Sequence, residues 1–329
     1  MRILHIYKDY APVVGGIENH VRDLGEGLAR RGYAVRVLVT GQGGQRSIAI
    51  EGGVEVVRAA RFAHAASTPL SLDMLQIART SRADIVHLHF PYPPGDLAAF
   101  AVPGHPPLVV TYHSDIVRQQ QLLRIYRPLL ERTMQRARRV IATSPDYVQS
   151  SPVLQRYRDK CVVVPLGIDV ARFAECDATH VQRLRAHLRG SEGAAGLVLF
   201  VGRLRYYKGL HVLLDALAQL EGARLVIVGS GPEFERLQAQ ARALGIAGRL
   251  VFAGDVGDDD LPLWYQACDV FALPAHVRAE ALGIAQIEAM ASGLPCVCTA
   301  LGTGTSFVNL HGETGLVVPP GDAGALAQA

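Results

Sequence analysis

Lysine is nearly missing from this chain: Lys8, Lys160 and Lys208 stand alone against thirty arginines. Cysteine offers no pairs. Cys161, Cys176, Cys268, Cys296 and Cys298 form no C-x-x-C motif and no zinc spacing, and an odd count of scattered thiols suits a reducing, cytoplasmic setting. Cys296 and Cys298 share one strand face and read as buried core thiols. No secretory leader is expected, because Met1 runs straight into Ile3-Leu4-His5-Ile6, a buried-strand pattern. The longest uncharged stretch, Ala289 to Gly312, has the length of a membrane span. Gly293, Pro295, Gly302 and Gly304 break it, so a membrane helix is excluded. There is no P-loop and no G-x-S-x-G elbow.

What is present suits a soluble globular protein of two domains: 329 residues, 49% hydrophobic and 19% charged. Short apolar runs alternate with amphipathic stretches. The pattern predicts strands at 2–7, 34–39, 54–58, 84–89, 108–112, 139–143 and 161–164, with helices near 16–31, 70–81, 117–136 and 145–156. Turn residues in Pro165-Leu166-Gly167-Ile168-Asp169 mark a linker. After a helix near 177–188 the alternation restarts. It predicts strands at 197–201, 224–228, 249–253, 269–273 and 295–299, and helices at 208–220, 232–244, 260–267, 283–292 and 322–329. Strands separated by helices imply parallel sheets covered on both faces. The fold class is α/β, with two Rossmann-like domains, 1–168 and 169–329, facing one cleft. Ligands of such sheets bind beyond the carboxyl ends of the strands.

Charge divides unevenly. Residues 1–168 hold 21 basic against 13 acidic side chains, or +8; the remainder hold 12 against 17, or −5. Seven arginines between Arg118 and Arg139 face only Glu131; such a face is most often simply solvated, and the sharper reading is attraction to an anionic membrane surface. Peripheral attachment to the inner face of the plasma membrane is the corresponding location.

Three loops carry the chemistry. Gly15-Gly16-Ile17-Glu18 follows the first strand and opens a helix, where amide groups approach oxygen-rich ligands. Arg203 and Lys208 share the loop after the first strand of the second domain, where two cations can meet a diphosphate. Glu280 and Glu288 flank Gly283 and Ile284, the start of a predicted helix whose free amides favour a phosphate. Carboxylates so placed accept hydrogen bonds from sugar or ribose hydroxyls.

Together with Tyr112-His113-Ser114-Asp115, the Pro165–Asp169 linker, Gly229-Ser230-Gly231-Pro232 and Gly312–Val317, these motifs resemble glycosyltransferase family 4, retaining enzymes of the GT-B fold with an E-x7-E motif. The resemblance covers nearly the whole chain. It implies that Arg203 and Lys208 bind the donor diphosphate, Glu280 the transferred hexose and Glu288 the ribose. His113 would lie beside the reacting sugar, and Gly16, Gly229, Gly231, Gly283 and Ile284 would complete the donor site. The wording of Tyr112–Arg118 and Arg278–Glu288 is most similar to bacterial mannosyltransferases of surface-polysaccharide assembly, which use GDP-mannose and need no metal. A glycan or polyprenyl-linked acceptor follows, and no nucleic-acid partner.

The pattern departs from the family in two places. Leu282 and Ala275 replace an aromatic and a serine, and the chain stops at Ala329, where family members continue with a helix crossing back to the first lobe. Two other readings stay open at this point: a nucleotide-sugar epimerase or hydrolase, for which Asp115 is available, and a non-catalytic sugar-nucleotide binder. His87-Leu88-His89 imitates a metal pair but has no carboxylates beside it, and is read as a strand end lining the cleft. Asp258-Asp259-Asp260 precedes a helix, where acids suit the dipole. Gly229–Phe234 lacks the third glycine of a nicotinamide site.

Overall fold

The computed structural model describes residues 1–13, 15–65, 68–117, 120–190 and 193–329. The chain divides into two compact units, Met1–Thr143 with Val148–Pro165 and Ser144–Tyr147 with Leu166–Ala329.

The first unit contains β1 (Arg2–Ile6), β2 (Ala34–Thr40), β3 (Ser47–Glu51), β4 (Val54–Ala59), the small hairpin β5 (Ala63–Ala65) and β6 (Thr68–Leu70), β7 (Ile85–Phe90), β8 (Leu108–Tyr112), β9 (Arg139–Ala142) and β10 (Cys161–Val163). Its helices are α1 (Gly16–Arg30), α2 (Leu72–Thr80), α3 (Pro93–Ala101), α4 (Gln120–Arg136), α5 (Pro145–Ser150) and α6 (Pro152–Arg156), with the short α5 straddling the division. Eight strands form one sheet in the order β10-β9-β8-β7-β1-β2-β4-β3, parallel throughout except for β3 against β4. The central strands read as continuous apolar runs because helices cover both faces; Val37, Leu38 and Val39 are all buried.

The second unit contains β11 (Gly196–Val201), β12 (Ala223–Val228), β13 (Leu250–Gly254), β14 (Val270–Leu273), β15 (Cys296–Thr299) and β16 (Gly315–Val318). The helices are α7 (Ala171–Ala174), α8 (Ala178–Arg189), α9 (Leu210–Leu217), α10 (Phe234–Ala243), α11 (Leu261–Ala267), α12 (Ile284–Ala291), α13 (Thr305–Val308) and α14 (Ala323–Gln328). All six strands are parallel, in the order β13-β12-β11-β14-β15-β16. In both sheets the winding reverses beside the unit's first strand, between β1 and β7 and between β11 and β14. Those reversals are where doubly wound sheets open a crevice.

Several elements differ from expectation for identifiable reasons. Strand β3 is an antiparallel edge whose Ile48 and Ile50 face solvent, so its apolar residues do not mark a core. Helix α3 begins on Pro93, a residue that breaks helices inside but suits their first position. The single helix predicted at 145–156 is cut at Ser151, whose Oγ caps α6 by accepting from Leu154 N. Among the described residues no helix is long and apolar enough to cross a membrane.

Candidate active site

The loops that follow β11 and β14 flank the reversal in the second unit, and they hold the closest charge pair among its described residues. After β11, residues Tyr206–Lys208 form a single 3-10 turn, and Gly209 then adopts φ +72° before α9. A Cβ on Gly209 would lie 1.9 Å from Pro274 O, so only glycine lets this loop press against the loop after β14. That contact delivers Lys208 to Glu280, with Nζ 2.5 Å from Oε2 and both side chains largely buried. Burial works against the Lys208 ammonium, but Glu280, then Tyr207 and Glu288, hold its pKa above the ordinary lysine value.

Glu280 is itself fixed from behind. Thr303 Oγ1 donates to Glu280 O at 2.8 Å, and Gly304 N donates to Ala281 O at 2.6 Å. Gln286 Nε2 bridges Leu282 O and Thr305 O, at 2.9 and 3.0 Å. Gly283, at φ +79°, starts α12 with no side-chain cap, and Ile284 is the first helical residue. The first amides of α12 therefore open beside the Lys208–Glu280 pair, the arrangement that favours an anion. About one turn on, Glu288 accepts from Tyr265 Oη at 2.7 Å. Burial raises the Glu288 pKa, opposed by that hydroxyl and by Arg172 and Lys208.

Arg203 takes a different direction. Its guanidinium donates to Ser230 Oγ at 3.0 Å and lies 3.8 Å from Asp255, to which Ser230 Oγ donates at 2.7 Å. Glycines bring these loops together: a Cβ on Gly229 would stand 2.2 Å from Gly202 O, and one on Gly231 would stand 2.5 Å from Leu204 O. Thus Lys208, Glu280, Gly283 and Ile284 form one group with Glu288 behind it. Arg203, Gly229 and Gly231 form a second, at the ends of the neighbouring strands β11 and β12.

His113 and Gly16 belong to the first unit. Gly16 is the first residue of α1, and the Glu18 carboxylate folds back over Gly15, where a Cβ would meet Oε2 at 2.2 Å. That helix end is therefore already compensated by an acid, with Lys8 Nζ 3.8 Å from Glu18. His113 directly follows β8 and is buried, with Nε2 3.0 Å from His89 Nδ1. Burial, with His20 adding repulsion, holds its pKa well below the ordinary histidine value, so the ring is neutral at pH 7. His87 and His89 do not line an open strand end. Both are buried, and His87 Nε2 lies 2.7 Å from Thr111 Oγ1.

Sequence reasoning missed the polar scaffold of Thr303, Thr305, Gln286 and Tyr265, and the Ser230–Asp255 partners of Arg203. The first had a signal in Gly302-Thr303-Gly304-Thr305, a turn cluster directly after a strand. Leu282 and Ala275, the two departures, are both buried and fill space beside the Glu280 loop.

Two Rossmann-like units, each with charged side chains beyond its strand ends, are the architecture of GT-B glycosyltransferases. The family described as Glycosyltransferase Family 4 matches residues 14–172, and Glycosyl transferases group 1 matches residues 189–329. The chain belongs to the family 4 glycosyltransferases. It is 43% identical over 332 residues to the D-rhamnosyltransferase WbpZ of Pseudomonas aeruginosa, covering 100% of this chain and 85% of that protein. The O-antigen chain mannosyltransferase C of Escherichia coli is 38% identical over 332 residues, covering 100% and 87%. Among solved structures, sucrose-phosphate synthase from Thermosynechococcus elongatus shares the fold with a TM-score of 0.81 at 23% identity, covering 100% and 88%. Anabaena Alr3699/HepE in complex with UDP-glucose gives 0.77 at 25% identity, again covering 100% and 88%.

Proposed function

We propose that this chain is a retaining hexosyltransferase that moves mannose from GDP-mannose to a glycan or polyprenyl-linked acceptor during surface-polysaccharide assembly. The buried Lys208–Glu280 pair beside the start of α12 carries this reading. A nucleotide-diphosphate donor supplies the anion that Lys208, Arg203 and the α12 amides suit, and its sugar hydroxyls suit Glu280. Glu288 takes the ribose, and Gly229 and Gly231 let the nucleotide approach the backbone. The UDP-glucose complex of the Anabaena protein supports the donor class. The names of the two relatives, a mannosyltransferase and a rhamnosyltransferase, support the sugar class.

The first unit takes the acceptor, with Gly16 lining the reacting centre on the donor's side and His113 serving the reacting sugar as a neutral hydrogen-bonding ring. The acceptor hydroxyl attacks the anomeric carbon on the face the phosphate leaves. The anomeric C–O bond breaks with its electron pair going to the β-phosphate oxygen, which takes the hydroxyl proton. Configuration is retained, and no protein base or metal is called for. Lys208 and Arg203 meet the negative charge that grows on the leaving group.

Attachment to an anionic membrane belongs to the same reading, through the Arg118–Arg139 segment. Arg118 lies outside the described residues. Arg132 and Arg136 are committed to the face of Phe100, and Arg127 pairs with Glu131. What supports the idea is α4 itself, where Leu122 and Ile125 are exposed beside exposed Arg124. The testing experiment is transfer from GDP-mannose to a polyprenyl-linked glycan, with the product's anomeric coupling read by NMR. An α product from the α donor upholds the reading; a β product, an isomerised donor, or free mannose without transfer overturns it.

A further inference from the structure

Five histidines from four places in the chain meet inside the first unit: His5 on β1, His87 and His89 on β7, His113 after β8, and His20 on α1. Stacked rings lie 4.4 Å apart at His87–His89 and 5.3 Å apart at His89–His113. His20 approaches edge-on, with centroids 5.9 Å from His89 and 5.5 Å from His113. One hydrogen-bonded line runs through the group, from His5 Nδ1 to His89 Nε2 and from His89 Nδ1 to His113 Nε2, both 3.0 Å. Sugar transfer uses only His113 of these five.

We propose that His20, His89 and His113 form a binding site for a divalent d-block cation of the zinc type. One ligand nitrogen from each lies within 4.8 Å of the others. The His89–His113 nitrogen separation of 3.0 Å is already close to the edge of a tetrahedral zinc site, about 3.3 Å for Zn–N bonds of about 2.0–2.1 Å. An all-imidazole set selects zinc, copper or nickel and disfavours magnesium and calcium, which want oxygen. Burial keeps all three rings neutral at pH 7, and His20 is lowered to about 4, so the lone pairs are available without loss of a proton.

The surroundings suit ligation as well. With Nδ1 of His89 on the metal, its Nε2 carries the proton and donates to His5 Nδ1 over the existing 3.0 Å contact, fixing ring and tautomer. His20 is half-buried and gives the cation a way in. The fully buried trio His5, His87 and His89 is less suited, because His87 Nε2 is bonded to Thr111 and none of the three rings reaches the surface. A cation on His113 would withdraw that ring from the sugar, making the site inhibitory to transfer. This consequence rests on the role given to His113 above; the binding itself does not.

The test uses the tag-free, chelator-stripped chain titrated with zinc chloride against a chromophoric zinc chelator. One zinc per chain is expected, with affinity falling at least about tenfold in His20→Gln, whose fold is checked by circular dichroism. X-ray absorption should show nitrogen ligands near about 2.0 Å and no sulfur. Absence of stoichiometric binding, unchanged affinity in His20→Gln, or sulfur from Cys161 or Cys176 overturns the site. Zinc that binds as described yet leaves transfer untouched upholds the site and counts against the role of His113, so the two failures are told apart.

Discussion

Lys208 Nζ lies 2.5 Å from Glu280 Oε2, and the two side chains come from loops that follow neighbouring strands of one parallel sheet. Each ion shields the other from the cost of burial, and the pair stands where the first amides of α12 open. A donor diphosphate would draw the ammonium toward itself and leave Glu280 free to accept from the sugar.

Glu280→Gln should lower turnover and also change its pH dependence. Glu280 is the foremost group holding the Lys208 pKa up against burial. Without that carboxylate, burial prevails and the lysine loses its proton at lower pH. The alkaline limb of the kcat/KM profile, which reports the free enzyme, should therefore move to lower pH than in the wild type. A mutant with full activity and an unmoved limb would contradict the assignment.

Gly209→Ala tests whether loop contact delivers the lysine. The added Cβ meets Pro274 O at 1.9 Å, at a backbone φ of +72°. A loss of at least about 2 kcal/mol is expected by denaturant unfolding, with turnover reduced beyond the stability effect. Wild-type stability and rate together would show that the loops need no such closeness.

Asp96 supplies a stability signature in the first unit. It is buried near the start of α3, with Tyr126 donating to Oδ2 at 2.6 Å, and burial lifts its pKa to about 7. Between pH 4 and 7 the unfolded chain releases this proton while the folded chain keeps it. The folded state then binds more protons, so stability falls as pH rises through that window and levels off above it. Asp96→Asn cannot ionise, and thermal melts should show the difference between the two proteins changing across the window. A difference independent of pH would contradict the assignment.

Ile125→Asp should weaken binding to vesicles containing anionic lipid, measured by sedimentation. Binding of the wild type should fall as salt rises, because each basic side chain near the surface adds about 1 kcal/mol that salt screens. Sedimentation indifferent to lipid charge and salt would dismiss membrane attachment through α4.

Most strands of both sheets were legible because helices bury them on two faces, leaving apolar runs such as Leu225–Val228. Edge strands β3 and β16 were not: the isoleucines of β3 face solvent, and β16 has only four residues and opens on Gly315. At the site, the motif residues Arg203, Lys208, Glu280 and Glu288 stood out by spacing, and Lys208 also by the scarcity of lysine. Their partners did not. Tyr265 reaches Glu288 from 23 residues away, and Thr303 reaches the backbone of Glu280 from the same distance. No local pattern announces a hydrogen bond closed by tertiary packing. The histidine cluster failed for the same reason: only His87 and His89 are neighbours in sequence, and three separate elements bring the others.

The most direct measurement compares GDP and GMP binding to the wild type and to Lys208→Ala by calorimetry, alongside turnover with GDP-mannose. If Lys208 meets the distal phosphate, the substitution weakens GDP at least about tenfold, leaves GMP nearly unchanged, and lowers kcat by about two to three orders of magnitude. GDP binding and turnover close to wild type would contradict the account.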